Sequence, residues 1–153
     1  MTELMKPPGL LRGILSGILR QPASPQATNT FIKMLQAAKP NVFWAVGNNA
    51  EAYALLARSS REPCKTVSFE TAPDYYCLDH LLTSVDAPPE MMRISTNGTE
   101  KRVIDGARKL LEVHAPVLII QTKQSDLIQS LEIMGYRLYG LDRDTKFFVS
   151  VYF

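Results

Sequence analysis

The chain has 153 residues, of which 46% are hydrophobic and 21% charged, with a net charge of +2. That length suits one globular domain, which buries roughly 68–70% of the surface its unfolded chain exposes and needs no disulfide staples. The small net charge provides no concentrated basic face, so no nucleic-acid partner is expected. Cys64 and Cys77 have no metal-ligand spacing and fit a reducing, cytoplasmic setting. His80 and His114 add no ligand set, so no metal site is expected.

In chain order, residues 9–20 read as an amphipathic helix. Leu10, Leu11, Ile14, Leu15, Ile18 and Leu19 fall on one half of the helical wheel, opposite Arg12, Gly13, Ser16, Gly17 and Arg20. Two readings stand: the helix packs on its own domain, or it contacts a membrane surface or a protein partner, which would make the chain membrane-peripheral. Glu3 ahead of the apolar part argues against a cleaved targeting peptide, and no apolar run approaches the ~20 residues that span a bilayer. Residues 21–30, with Pro22 and Pro25 among small and polar residues, read as a linker. The chain therefore divides into residues 1–29, helix and linker, and a single α/β domain over 30–153.

A short helix over 30–38 has Phe31, Met34, Leu35 and Ala38 as its inner face, and Pro40 ends it. Residues 42–46 are continuously apolar; Gly47 and two asparagines follow, and then a helical pattern on Ala50, Tyr53, Ala54 and Ala57. This is a strand, a tight turn and a helix, and the carboxyl edge of such a strand is where open α/β sheets bind ligands. Gly47 lets the backbone bend where the strand passes into the helix, though Glu51 stands where a second glycine would help a cofactor approach. The β-rich run over 65–71 precedes a helical pattern over 74–84, with Tyr75, Leu78, Leu81 and Leu82 on one face.

The best-determined stretch covers 90–122: an apolar strand, a glycine turn, an amphipathic helix and a strand introduced by Pro116. Val103, Ile104, Ala107, Leu110 and Leu111 form the helix's apolar stripe, and the spacing of Asn97 and Glu100 predicts a capping box with the helix beginning near Gly98. Residues 117–120 are apolar without alternation, the pattern of a parallel strand covered on both faces. A helix capped by Ser125 should run to Met134, and the strands at 136–141 and 146–153 should pair antiparallel across a turn. The expected fold is α/β, a mostly parallel sheet with a C-terminal antiparallel hairpin, preceded by N-terminal helices.

The residues Arg93, Ile94, Gly98, Glu100, Gly106, Ala107 and Pro116 resemble the C-terminal signature of the FkbM-type methyltransferases. Leu78, Asp79, Leu81 and Leu82 resemble its preceding Leu-Asp-Asp-Leu-Leu segment; Leu131, Gly135 and Tyr136 resemble its closing motif. Residues 45–53 are similar to its cofactor turn. The resemblance implies a Rossmann-like methyltransferase-type sheet, S-adenosylmethionine as cofactor and O-methyl transfer to a small-molecule or sugar hydroxyl. It places Gly47 and Asn49 in the cofactor turn and Ser95 and Asn97 at the cleft. The family's carboxylate positions are neutral here, as Ala45, Ser95, Asn97 and Gln121, and this favours weakened donor binding or an inactive binding module. Residues 68–70 match either the strand after the cofactor turn, which would make Glu70 a ribose ligand, or the strand before the Leu-Asp segment.

Overall fold

The structure, a computed structural model, describes residues 27–60, 63–85, 87–122, 124–140 and 145–150. The predicted helix at 9–20, most of the linker after it and the tip of the C-terminal hairpin lie outside the described residues. Burial accounts for the strands. Val42–Gly47 (β1) is buried at all six positions, and Met91–Ser95 (β3) is buried except at Arg93, as in strands covered on both faces. Lys65–Phe69 (β2) is exposed or half-buried throughout and forms one edge. With Val117–Gln121 (β4), these strands run parallel in the order β2-β1-β3-β4. Tyr136–Gly140 (β5) and Thr145–Ser150 (β6) complete the sheet antiparallel, and β6 inserts between β4 and β5. The α/β class, the mostly parallel sheet and the antiparallel hairpin are as expected.

Residues 68–70 lie at the carboxyl end of β2, which pairs directly with β1. They follow the first helix after the Gly47 turn, and among the described residues no further strand separates β2 from β3.

Helices cover both faces. Ala27–Ala38 (α1) and Ala50–Ser60 (α2) bury Phe31, Met34, Leu35, Ala50, Ala54 and Ala57 against Phe43, Ala45, Met91 and Ile119. Leu78–Leu81 (α3), Glu100–Asp105 (α4), Arg108–His114 (α5) and Ser125–Ile133 (α6) pack on Trp44, Val46, Met92, Ile94, Leu118 and Ile120. Successive strand residues therefore serve opposite cores. Among the described residues no helix is long and apolar enough to cross a membrane.

Three helical expectations need correction. The pattern over 74–84 is a 3₁₀ turn, the short α3 and a second 3₁₀ turn. Ser125 is the first residue of α6, and its preceding cap, Gln124, makes no side-chain cap bond. The central helix starts at Glu100 rather than Gly98 and breaks between α4 and α5. The cause of the break lies in a neighbouring segment. A Cβ on Gly106 would stand 1.9 Å from the Tyr76 carbonyl oxygen, and Asp79 N–H donates to the Gly106 carbonyl (2.9 Å). The Asp79 carboxylate then accepts the N–H groups of Lys109 (3.0 Å) and Leu110 (2.8 Å) at the start of α5, which satisfies donors that a helix start leaves free.

Asp79→Ala is expected to lower stability by about 1–2 kcal/mol, as loss of a helix cap does. Gly106→Ala should cost about 1–3 kcal/mol through overpacking. Urea denaturation of both variants checks this, and an unchanged midpoint for Gly106→Ala would contradict the close approach.

Candidate functional site at the carboxyl edge of the sheet

The strand order puts β2 and β3 on opposite sides of β1, with α2 on one face and α4 on the other. That reversal is the topological switch point at which open α/β sheets bind ligands. Gly47 and Ser95 are register partners there. Gly47 has φ +98°, and a Cβ on it would lie 2.0 Å from the Ser95 carbonyl oxygen and 2.7 Å from Thr96 Cγ2. Asn48 N–H donates to that same carbonyl at 2.6 Å. The glycine is thus demanded by the approach of two protein loops. Asn49, exposed and left-handed at φ +58°, turns the chain into α2, a conformation asparagine tolerates better than most residues.

The second wall is the β3–α4 turn. Ser95 and Thr96 are buried, while Asn97 (φ +57°) and Gly98 (φ +97°) are exposed. Glu100 is 2% exposed, and its carboxylate accepts the N–H groups of Thr96 (2.6 Å) and Gly98 (3.1 Å). Glu100 reaches back as a capping-box carboxylate does, but Thr99 is the cap residue and no side-chain cap bond forms there. The contribution of Asn97 is its left-handed backbone. Past β4, the Thr122 hydroxyl accepts Gln124 N–H (3.0 Å), and Gln124 Nε2 donates to the Gly98 carbonyl (2.9 Å). Among the described residues, Thr96 Oγ1 and Gln124 Oε1 are buried and find no hydrogen-bond partner. Sequence patterns did not single out Thr96, Thr122 or Gln124, because their only signal is position just beyond a strand.

At the end of β2, exposed Glu70 accepts the Glu51 N–H at 3.2 Å, while Ser68 Oγ donates to Glu51 Oε2 at 2.6 Å. The start of α2 is therefore held by the chain's own carboxylate. Gly47, Asn49, Glu70, Ser95 and Asn97 all come to one rim. Ala45 does not: it is fully buried on the α1–α2 side and paired in register with Arg93. The Arg93 guanidinium lies 3.6 Å from the centre of the Tyr53 ring and donates to the Asn48 carbonyl (3.2 Å). Burial holds its pKa below the ordinary arginine value, with Tyr53 opposing the shift. The sequence signal for this contact is a lone arginine in an apolar strand. Among the described residues no group of three His, Cys, Asp or Glu side chains could hold a metal.

The edge thus presents the exposed carboxylates of Glu51 and Glu70, neutral amide and hydroxyl groups, and the two buried oxygens of Thr96 and Gln124. Glu100→Ala should destabilise the fold by about 2–4 kcal/mol, because two N–H groups lose a charged acceptor. Glu100→Gln, which keeps one oxygen, should lose less. Thermal melts that rank Gln below Ala would refute this account of the turn.

No protein-family model and no curated protein matches the sequence. Solved structures do match. One is precorrin-6y C5,15-methyltransferase from Geobacter metallireducens GS-15, at 14% identity and TM-score 0.54, over 85% of this chain and 89% of that one. Another is cofactor-bound Rv0187 from MTB, at 13% identity and TM-score 0.58, over 95% and 90%. At such identities the likeness bears on architecture alone, and it agrees with the strand order: the chain has a Rossmann-like α/β fold.

Proposed function

We propose that the carboxyl edge between β1 and β3 binds S-adenosylmethionine or its demethylated product, and that the protein is methyltransferase-like. The observation that carries this reading is the position of Glu70. It stands at the end of the strand next to the Gly47 turn, where an acidic residue accepts ribose hydroxyls in nucleotide folds. Glu70 Oε1 holds the Glu51 N–H, and the exposed carboxylate has further acceptor capacity for a diol. Asn49 and the Gly47 turn would border the nucleoside, and Ser95 and Asn97 would line the cleft on the β3 side.

The present residues fit the nucleoside end of this cofactor better than its cationic end. S-adenosylmethionine supplies an electrophilic methyl group on a sulfonium when bound. Ser95 and Asn97 would offer only neutral oxygens to that charge, and an acidic residue at position 45 would be sealed beside Arg93. If the protein is active, the acceptor is a small-molecule or sugar hydroxyl, as the FkbM resemblance implies. A second reading, a non-catalytic module of the same fold, is favoured by these neutral positions. In that reading the helix predicted at 9–20 would supply contact with a protein or membrane surface.

Calorimetry separates the two. S-adenosylhomocysteine, which lacks the sulfonium, is expected to bind more tightly than S-adenosylmethionine, and Glu70→Ala should weaken both about tenfold, the worth of one charge-assisted hydrogen bond. No heat with either ligand at about 1 mM, a concentration that registers even millimolar affinity, would reject the donor site.

Asn97→Asp keeps shape and left-handed tolerance while adding charge at the rim. It should raise S-adenosylmethionine affinity, relative to the product, by roughly three- to tenfold.

A further inference from the structure

The open edge of β2 carries features that fit a second copy of this chain. Among the described residues β2 has one neighbour, β1. Lys65 N–H donates inward, to the Asn41 carbonyl at 2.8 Å. Peptide groups alternate in direction along a strand, so the N–H and C=O groups of Thr66 and Ser68 aim at the free edge. A groove of about 530 Å³ runs along this edge, lined in part by Arg58, Cys64, Thr66, Val67 and Val85.

The helix above the edge repeats the pattern in its side chains. Glu51, Leu55 and Arg58 lie at i, i+4 and i+7 on α2, one stripe of a helix. Both ends of the stripe lean over β2: Glu51 accepts from Ser68 Oγ, and Arg58 Nη1 donates to Thr66 Oγ1 at 2.6 Å. Between them Leu55 is 57% exposed. The edge is thus cationic at the amino end of β2, where Arg58 and Lys65 stand, and anionic at the carboxyl end, where Glu51 and Glu70 stand.

We propose that two copies of this chain pair antiparallel through β2, about a twofold axis at Val67. An isologous interface requires a surface complementary to itself under a half-turn, and this one is. Rotation about Val67 sets Thr66 opposite Ser68 of the second copy, so the four outward peptide groups of each strand meet as reciprocal hydrogen bonds. It carries Arg58 towards the second copy's Glu51 and brings the two Leu55 side chains together. The result is one sheet continued through both copies, with no unpaired edge at β2.

Sedimentation of the full chain checks the proposal, with a species of twice the 17.1 kDa chain mass expected at about 100 µM. Leu55→Lys, Glu51→Arg and Arg58→Glu should each give monomers with unchanged far-UV circular dichroism. Mixing Glu51→Arg with Arg58→Glu should restore a dimer, since only the mixed pair juxtaposes opposite charges at both ends. In the wild type, the Thr66 and Ser68 amides should exchange more slowly as concentration rises, a readout that needs no variant. A monomeric wild type, a Leu55→Lys dimer, a mixture that stays monomeric, or a dimer with both amides unprotected would overturn the proposal.

Discussion

The Glu100 carboxylate is the contact on which the carboxyl edge depends. It is buried and accepts two backbone N–H groups from the turn that leads out of β3. A buried carboxylate is tolerated only when hydrogen bonds compensate its lost hydration. Here the compensation is the turn itself, so the conformations of Asn97 and Gly98 and the start of α4 are set together. Gln124 then fastens Gly98 from beyond β4, and Asn48 fastens Ser95 from beyond β1. Three strand ends are joined through backbone groups, which leaves the exposed Asn49 and Asn97 side chains at the rim outside these contacts.

The residues that resemble the FkbM signature sort by this division. Asp79 caps α5, Gly106 admits Tyr76, and Tyr136 donates its buried hydroxyl to the Pro116 carbonyl at 2.9 Å, tying β5 to the start of β4. These positions close the fold whatever the protein binds. Ser95 and Asn97, where the resembling pattern has acids, stand at the end of β3 and in the turn after it. Function at this edge can therefore change with little effect on stability, because the fastening contacts run through other atoms.

The same economy shapes the outer edge of the sheet. With no described strand beyond β2, its peptide groups and the Glu51–Leu55–Arg58 stripe face outward together. Glu51 links the two surfaces: its N–H meets Glu70 at the proposed nucleoside site, and its side chain meets Ser68 at the strand edge. Ligand binding at Glu70 and association at β2 would thus share one residue.

Periodicity by itself determined the helices that bury a stripe, the parallel strands that bury both faces and the α/β class, because burial on a face follows directly from residue spacing. It also determined that Gly47, Asn49, Ser95 and Asn97 lie at strand ends or in the turns that follow them, and therefore at one edge of the sheet. Tertiary structure decided what local pattern does not encode. The break at Gly106 comes from Tyr76, some thirty positions away. The insertion of β6 between β4 and β5 depends on which strand edge is free. Ala45 belongs to the core beside Arg93 because strand register, not motif position, sets which face a residue serves. The orphaned oxygens of Thr96 and Gln124 exist only once three loops converge, and contacts between distant loops leave no periodic trace in the chain.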